Sequence, residues 1–240
     1  MKTNIIVLNS IKFRDNAHII NGYSDTNGRS GFVLYGSGNA GKRGSFSQIH
    51  PLSIIEAVTD PSTKGSLPVI REFSPLMNLP AIRSNIVKNA IAVFIGELIY
   101  RSQREGGADP GLYTFFVKTV LDLESERDNI ADFHPCFVVE YCRRLGYLPQ
   151  KSIGSEGMRF DISAASFTSS KTLRENLLFT TDSSSILQNI LSEEPSVYKR
   201  LGISGKSRYE FVVEMLKYLG YHQGVEIELR SLRVLHEVFE

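Results

Sequence analysis

Only two cysteines, Cys136 and Cys142, occur in the 240 residues. That excludes a disulfide framework, and their spacing fits neither C-x-x-C nor a zinc ligand set. On a helix of 3.6 residues per turn they point about 120° apart, so they read as buried thiols in a reducing compartment. Histidine is sparse too: His18, His50, His134, His222 and His236 form no H-x-x-x-H or H-E-x-x-H pair, and His18 and His134 read as packing or surface residues. No G-x-S-x-G elbow is present, and the paired acids Glu193 and Glu194 stop at Pro195 in what reads as a helix end. The most apolar window, residues 90–100, is broken by Glu97 and falls short of the ~20 residues that a membrane-spanning helix needs. The opening MKTNIIVLNSIKFR has no small-residue cleavage site after its apolar stretch. These absences predict a cytoplasmic protein with no membrane span, and they give no support to an enzyme, a metal site or a cofactor, although catalytic groups need not be adjacent in sequence.

What is present suits a globular chain with a real core. A hydrophobic fraction of 42% with 22% charged residues is ordinary for soluble domains, and the length allows one large domain or two small ones. The net charge of +1 hides an uneven distribution. Before Pro80, Lys2, Lys12, Arg14, Arg29, Lys42, Arg43, Lys64 and Arg71 outnumber Asp15, Asp25, Glu56, Asp60 and Glu72. Nothing acidic lies between Asp25 and Glu56, a span that holds Arg29, Lys42 and Arg43. A local excess of cations suits an anionic partner.

The hydrophobic period changes once along the chain. Up to about Phe73, short runs rich in β-branched and aromatic residues alternate: one holds Ile5, Val7, Ile11 and Phe13, and the others cover residues 19–23, 32–35, 52–58 and 67–73. DTNGRS places Asn27 and Gly28 between two runs, a strong hairpin signal because both residues tolerate positive φ. TDPSTKGS does the same for the last pair. Five short antiparallel strands are too few for a sandwich and predict a small closed barrel of the OB-fold type. Beyond Pro80 helical spacing takes over in residues 84–105, from Pro110 onward, in 130–145 with Gly146 as C-cap, in 183–191, in 207–219 and in 229–239. Ser207 and Glu210 read as a capping box. Residues 150–171, rich in Ser and Gly, read as a long surface connection. The predicted class is α+β: a five-stranded OB-fold barrel in residues 1–80, followed by an all-α helical domain in 81–240.

The stretch YGSGNAGKRGSF satisfies G-x-x-x-x-G-K through Gly36, Gly41 and Lys42, but Arg43 stands where a P-loop places its magnesium-binding Ser or Thr. A P-loop also joins a buried parallel strand to a helix. Here a hairpin strand precedes the loop and RGSFSQIHPLSII leads into another strand. The loop therefore reads as a glycine-flanked display of Lys42 and Arg43 to a phosphate backbone. Gly205-Lys206-Ser207 also resembles the end of a P-loop but lacks the upstream glycine, because position 200 is Arg; it reads as part of a helix cap.

Several stretches in order resemble the bacterial RecO family of recombination mediators. They are IIVLNSIKF, the Gly28-Arg29 pair, YGSGNAGKRGSFSQIHPLSIIE, SNIVKNAIAVFIGELIYRSQRE, FVVEYCRRLGYLP and ELRSLRVLHEVF. The resemblance implies a protein that binds single- and double-stranded DNA and anneals complementary strands. It also implies that, with RecR, the protein helps load the recombinase on DNA coated by single-stranded-DNA-binding protein (SSB), without covalent chemistry. Arg29, Lys42 and Arg43 match the family's basic positions, and Arg14 and Arg71 join them as DNA-binding candidates by charge alone. For Arg29 a solvated turn residue is the alternative. The helical domain of relatives takes the acidic, hydrophobic C-terminal tail of SSB in a groove with basic rims; Arg101, Arg143 and Arg144 are the candidates here. Two departures stand out. The loop holds fewer cations than is usual in the family, and no four-cysteine set follows LGY, which predicts no zinc. Asp132 also occupies a place where relatives can carry Arg. A second reading is a protein-protein adaptor that binds an acidic peptide tail through the helical domain without touching DNA.

Overall fold

A computed structural model describes residues 1–36, 46–60, 66–128, 130–147, 157–169, 174–192 and 200–239. Five strands form where the alternating runs predict them: β1 (Lys2–Arg14), β2 (Ala17–Ser24), β3 (Gly28–Tyr35), β4 (Ile54–Asp60) and β5 (Val69–Pro75). They close a barrel in the order β1-β2-β3-β5-β4. Every pairing is antiparallel except β3 with β5, which closes the barrel through Val33–Val69 and Leu34–Ile70. Strand alternation sends one set of side chains inward; Ile5, Val7, Ile20, Phe32, Leu34, Ile55, Ile70 and Phe73 make the barrel core. Gly28 ends the β2–β3 turn at φ 66°. A side chain there would also strike the backbone carbonyls of Gly106 and Gly107, at 2.8 and 2.6 Å, so turn geometry and close packing both require glycine.

Contacts divide the chain into two compact units, Met1–Glu126 and Arg127–Glu240. The first unit thus includes three helices beyond the barrel: α1 (Pro80–Ser84), α2 (Ile86–Ser102) and α3 (Pro110–Ser125). Periodicity marks where strands give way to helices; it does not say which core the first helices join. Asn85 separates α1 from α2, its side chain accepting from the Val87 and Lys88 N–H groups at 2.9 and 3.1 Å. Asp109 caps α3 through the Leu112 N–H, ahead of Pro110 in the first turn. Glu124 of α3 accepts from the Ala81 and Ile82 N–H groups at 2.8 and 2.9 Å, which supplies α1 with the cap its own sequence lacks.

The second unit holds α4 (Phe133–Arg144), β6 (Arg159–Asp161), β7 (Ser166–Thr168), α5 (Thr181–Leu191), α6 (Gly205–Gln223) and α7 (Arg230–Val238). Gly146, at φ 83°, ends α4 in a Schellman motif: Gly146 N–H donates to the Arg143 carbonyl and Tyr147 N–H to that of Cys142. Both cysteines are buried on α4, and burial pushes the Cys142 thiol up to about 12, which keeps it protonated and unreactive. Two expectations are corrected. Within residues 150–171, β6 and β7 form a hairpin whose Phe160 is fully buried against Phe167, Phe179 and Tyr218; three-residue strands are too short to show a period. The N-cap of α6 is Ser204, accepting from Ser207 N–H at 3.0 Å, so Ser207 sits inside the first turn, where its hydroxyl meets that of Ser204.

The start of α4 is built on charge. Asp132 and Arg208 form a buried pair at 3.0 Å, and His134 is buried beside them. Burial pushes the His134 imidazole well below its ordinary value, and the Arg208 charge adds to this. The folded state therefore holds His134 neutral, while the unfolded chain takes up a proton below about pH 6.5. Stability from this group is complete above that pH and falls as the pH drops, by up to about 1.4 kcal/mol per pH unit. Urea unfolding at pH 7.5 and 5.5 is expected to show the loss, and His134→Asn is expected to flatten it.

Candidate nucleic-acid interface

Residues 17, 19, 21 and 23 of β2 share the outer face of the barrel, and the strand register extends that face in rows. One row, Ile6–Tyr23–Arg29, lies beneath α2 and α3. Tyr23 is buried and meets Phe116 edge-on at 5.0 Å, and α2 approaches β1 so closely that a Cβ on Gly96 would lie 2.4 Å from the Leu8 carbonyl oxygen. Further along the same face, the rows Ile11–Ile19–Val33 and Arg14–Ala17–Tyr35 keep Ala17 and Val33 buried but leave Ile11, Arg14 and Tyr35 open. Ile11, Phe13 and Tyr35 are 52%, 47% and 49% exposed. Phe13 is the extra residue of a register shift between Lys12 and Arg14, and such bulges re-aim side chains at a strand's end. The Arg14 guanidinium lies over the Phe13 ring, 5.0 Å from its centre. Between the covered and open rows, Leu67 of the β4–β5 connection rests on Gly31. In OB folds the β2–β3 face with the β1–β2 and β4–β5 loops is where oligonucleotides bind.

The inner row at this end, Lys12–His18–Leu34–Ile70, faces the barrel core. His18 stacks on Phe46 at 4.3 Å, and Phe46 packs against the core, so this pair closes the barrel. The element after β3 among the described residues is a single 3-10 turn, Phe46–Gln48, rather than the helix of a P-loop.

The candidate residues fall in different surroundings. Arg14 stands at the open end with the exposed aromatics. Arg29 lies in the corner made by the α2–α3 connection: its side chain is only 15% exposed, its guanidinium sits over Tyr100 at 5.1 Å and lies 3.6 Å from Glu105. Its backbone carbonyl accepts from Gly106 N–H. Arg71 is exposed and paired with Asp60; the hydrogen bond from Arg71 holds the Asp60 carboxyl below its ordinary value. Arg101 is exposed in the last turn of α2. Arg143 and Arg144 both turn to Glu140, at 3.3 and 2.8 Å. Lys42 and Arg43 lie outside the described residues, in the segment that follows Tyr35 and Gly36 in sequence. Reasoning from charge missed Phe13 and Tyr35. Their signal was the alternation Ile11-Lys12-Phe13-Arg14 at a strand end, where apolar residues interleave with cations instead of facing a polar side.

In the second unit, α6 and α7 border a groove whose floor includes Leu216 and Leu232, with Val213, Tyr221, Val225 and Val234 exposed along it. The connection leaving α6 crosses Gly220 so closely that a Cβ there would lie 2.5 Å from the Val225 carbonyl oxygen. Arg230 and Arg233 stand on its margin with Glu226 and Glu228. Among the described residues no group of three or more His, Cys, Asp or Glu is placed to hold a metal ion, and no helix is long and apolar enough to cross a membrane.

A closed five-stranded barrel with an open, partly aromatic β1–β3 end, continued by helices, defines an OB-fold protein with a helical domain. The family model "Recombination protein O C terminal" matches residues 83–171. DNA repair protein RecO of Azobacteroides pseudotrichonymphae is 24% identical over 239 residues, covering 100% of this chain and 99% of the relative. DNA repair protein RecO of Bacteroides fragilis is 28% identical over 244 residues with the same coverage. That of Flavobacterium psychrophilum is 25% identical over 245 residues, again covering 100% and 99%. Over its whole length the chain is thus similar to DNA repair proteins named RecO, and over residues 83–171 to that family's C-terminal model.

Proposed function

We propose that this protein is a recombination mediator in DNA repair that binds single- and double-stranded DNA and anneals complementary strands. With RecR it helps load the recombinase on SSB-coated DNA, and it does so without covalent chemistry. In this reading residues 1–80 are the DNA-binding domain, and the helical residues 81–240 receive the SSB tail. The observation that carries it is the open end of the barrel: exposed Ile11, Phe13 and Tyr35 beside Arg14, continuous in sequence with the segment of Lys42 and Arg43. Cations of this kind release counterions from the phosphate backbone, so affinity falls steeply with salt. The corner position of Arg29, held by Glu105 and Tyr100, fits neither a phosphate contact nor the solvated turn residue that was its alternative; it suits a residue that fixes the α2–α3 connection, and leaves Arg14, Lys42 and Arg43 as the stronger phosphate contacts.

The test is titration of a labelled oligonucleotide at several salt concentrations. If Lys42 and Arg43 each neutralise one phosphate, Lys42→Ala with Arg43→Ala lowers the salt slope on single strands by about 1.4, twice the ~0.7 per contact of single-stranded DNA. An unchanged slope removes the basic loop from the interface. The adaptor reading draws on the α6–α7 groove, with Val213, Tyr221, Val225 and Val234 along it and Arg230 and Arg233 beside Glu226 and Glu228 at its margin. Binding of an acidic, hydrophobic peptide by a protein with no affinity for DNA would favour it.

A further inference from the structure

We propose that Phe13 and Tyr35 form a stacking ledge for unpaired bases, so that the open end of the barrel prefers single-stranded nucleic acid to duplex; this rests on the DNA-binding reading above and deepens it. Two half-exposed aromatic rings with Ile11 also exposed stand on a face whose Ile6–Tyr23 pair is buried, and the bulge at Phe13 turns an apolar side chain out instead of hiding it. Tyr35 lies two strands away in the row that contains Arg14, about 10 Å by the usual strand spacing. The ledge therefore offers two platforms rather than one. A cation stands with the rings: Arg14 follows Phe13 in sequence and already lies against its face. A ring for the base with a guanidinium for the adjoining phosphate is the pairing that single-strand sites use, and it tolerates any sequence because every base has a π-face. Duplex DNA keeps its bases stacked on one another and can offer this surface only its phosphates. Asp15, at the β1–β2 turn, is the acidic residue nearest in sequence; it opposes phosphate at the tip and so places the strand over the rings instead of around the turn.

The experiment uses the full chain, a single-stranded oligonucleotide with 2-aminopurine at successive positions, and a duplex of the same length. In the wild type, 2-aminopurine fluorescence is expected to be quenched further on binding at positions that reach the ledge. Phe13→Leu with Tyr35→Leu keeps the apolar area and removes the aromatic faces. It is expected to lower single-strand affinity about tenfold or more, to leave duplex affinity unchanged, and to leave the salt slope unchanged because no phosphate contact is lost. Phe13→Tyr with Tyr35→Phe is expected to bind as wild type. Equal losses on single strand and duplex, or full single-strand affinity in the leucine variant, would overturn the ledge, as would loss of a protein partner alone. If the leucine variant binds as wild type while the Lys42 and Arg43 variant loses affinity, the DNA-binding reading stands and the ledge falls. If the wild type binds no DNA at any salt, the reading beneath it falls as well.

Discussion

Replacing Asp132 with alanine is expected to destabilise the protein by about 3–5 kcal/mol, the usual effect of removing one partner from a buried ion pair. The side chains of Asp132 and Arg208 are 6% and 9% exposed. One carboxylate oxygen accepts from Arg208 Nε and Nη2 at 3.1 and 3.0 Å, and the other accepts from Leu201 N–H at 2.7 Å. Alanine would leave a buried guanidinium whose remaining neighbours here are the Ile203 carbonyl and the face of Phe239, together with an amide deprived of its acceptor. Asn would restore shape without charge and should recover only part of the loss. Asp132→Leu with Arg208→Met removes both charges and is expected to be more stable than Asp132→Ala alone, because buried pairs replaced together by apolar groups are often neutral. Urea unfolding at pH 7.5 reads all three. An alanine variant within about 1 kcal/mol of wild type, far below the usual loss, would mean that water reaches the pair. Asp132 thus serves the fold of this chain through its pair with Arg208.

A side chain at Gly96 is the second change expected to have a large effect. An ideal Cβ would stand 2.4 Å from the backbone oxygen of Leu8, and neither a strand carbonyl nor a helix axis can step aside as a flexible side chain does. Alanine gains about 1 kcal/mol of helix propensity over glycine, but α2 must retreat from β1 by most of an ångström, and overpacking of this kind costs about 1–3 kcal/mol. The net for Gly96→Ala is expected to be a modest loss. Gly96→Val adds two methyl groups and poor helix propensity, and is expected to cost about 3 kcal/mol or more. Thermal unfolding checks the order, valine below alanine below wild type. Because α2 decides which rows of the barrel are covered, the valine variant should also expose Tyr23 and Ile6, detectable as increased dye binding.

Barrel and helices were legible because their signals are local. Alternation marks β1 to β5, Gly28 and Asn27 mark the β2–β3 hairpin, and Pro110 and Gly146 mark the start of α3 and the end of α4 through their own backbone limits. Where the local signal is weak, the reading failed. The β6–β7 hairpin depends on Phe160 finding three aromatic partners from elsewhere in the chain. Ser204 caps α6, though Ser207 fits the same motif; the choice depends on where the helix turns begin, not on residue type. For the candidate site, the resemblance put Arg29 ahead of Arg14, a candidate by charge alone, and packing reverses that order. One lies open beside Phe13, and the other is enclosed by Tyr100 and Glu105.

Sequence by itself determined the α+β class, the change of period near Pro80 and the lack of a disulfide framework, because these depend on side-chain alternation, turn chemistry and composition. Tertiary structure alone decided that α2 and α3 lie over the Ile6–Tyr23–Arg29 end of the barrel, and so which end stays open. The reason is steric: the helix settles where Gly96 lets it touch the strand, and the cost or gain of that contact depends on atoms more than eighty residues apart.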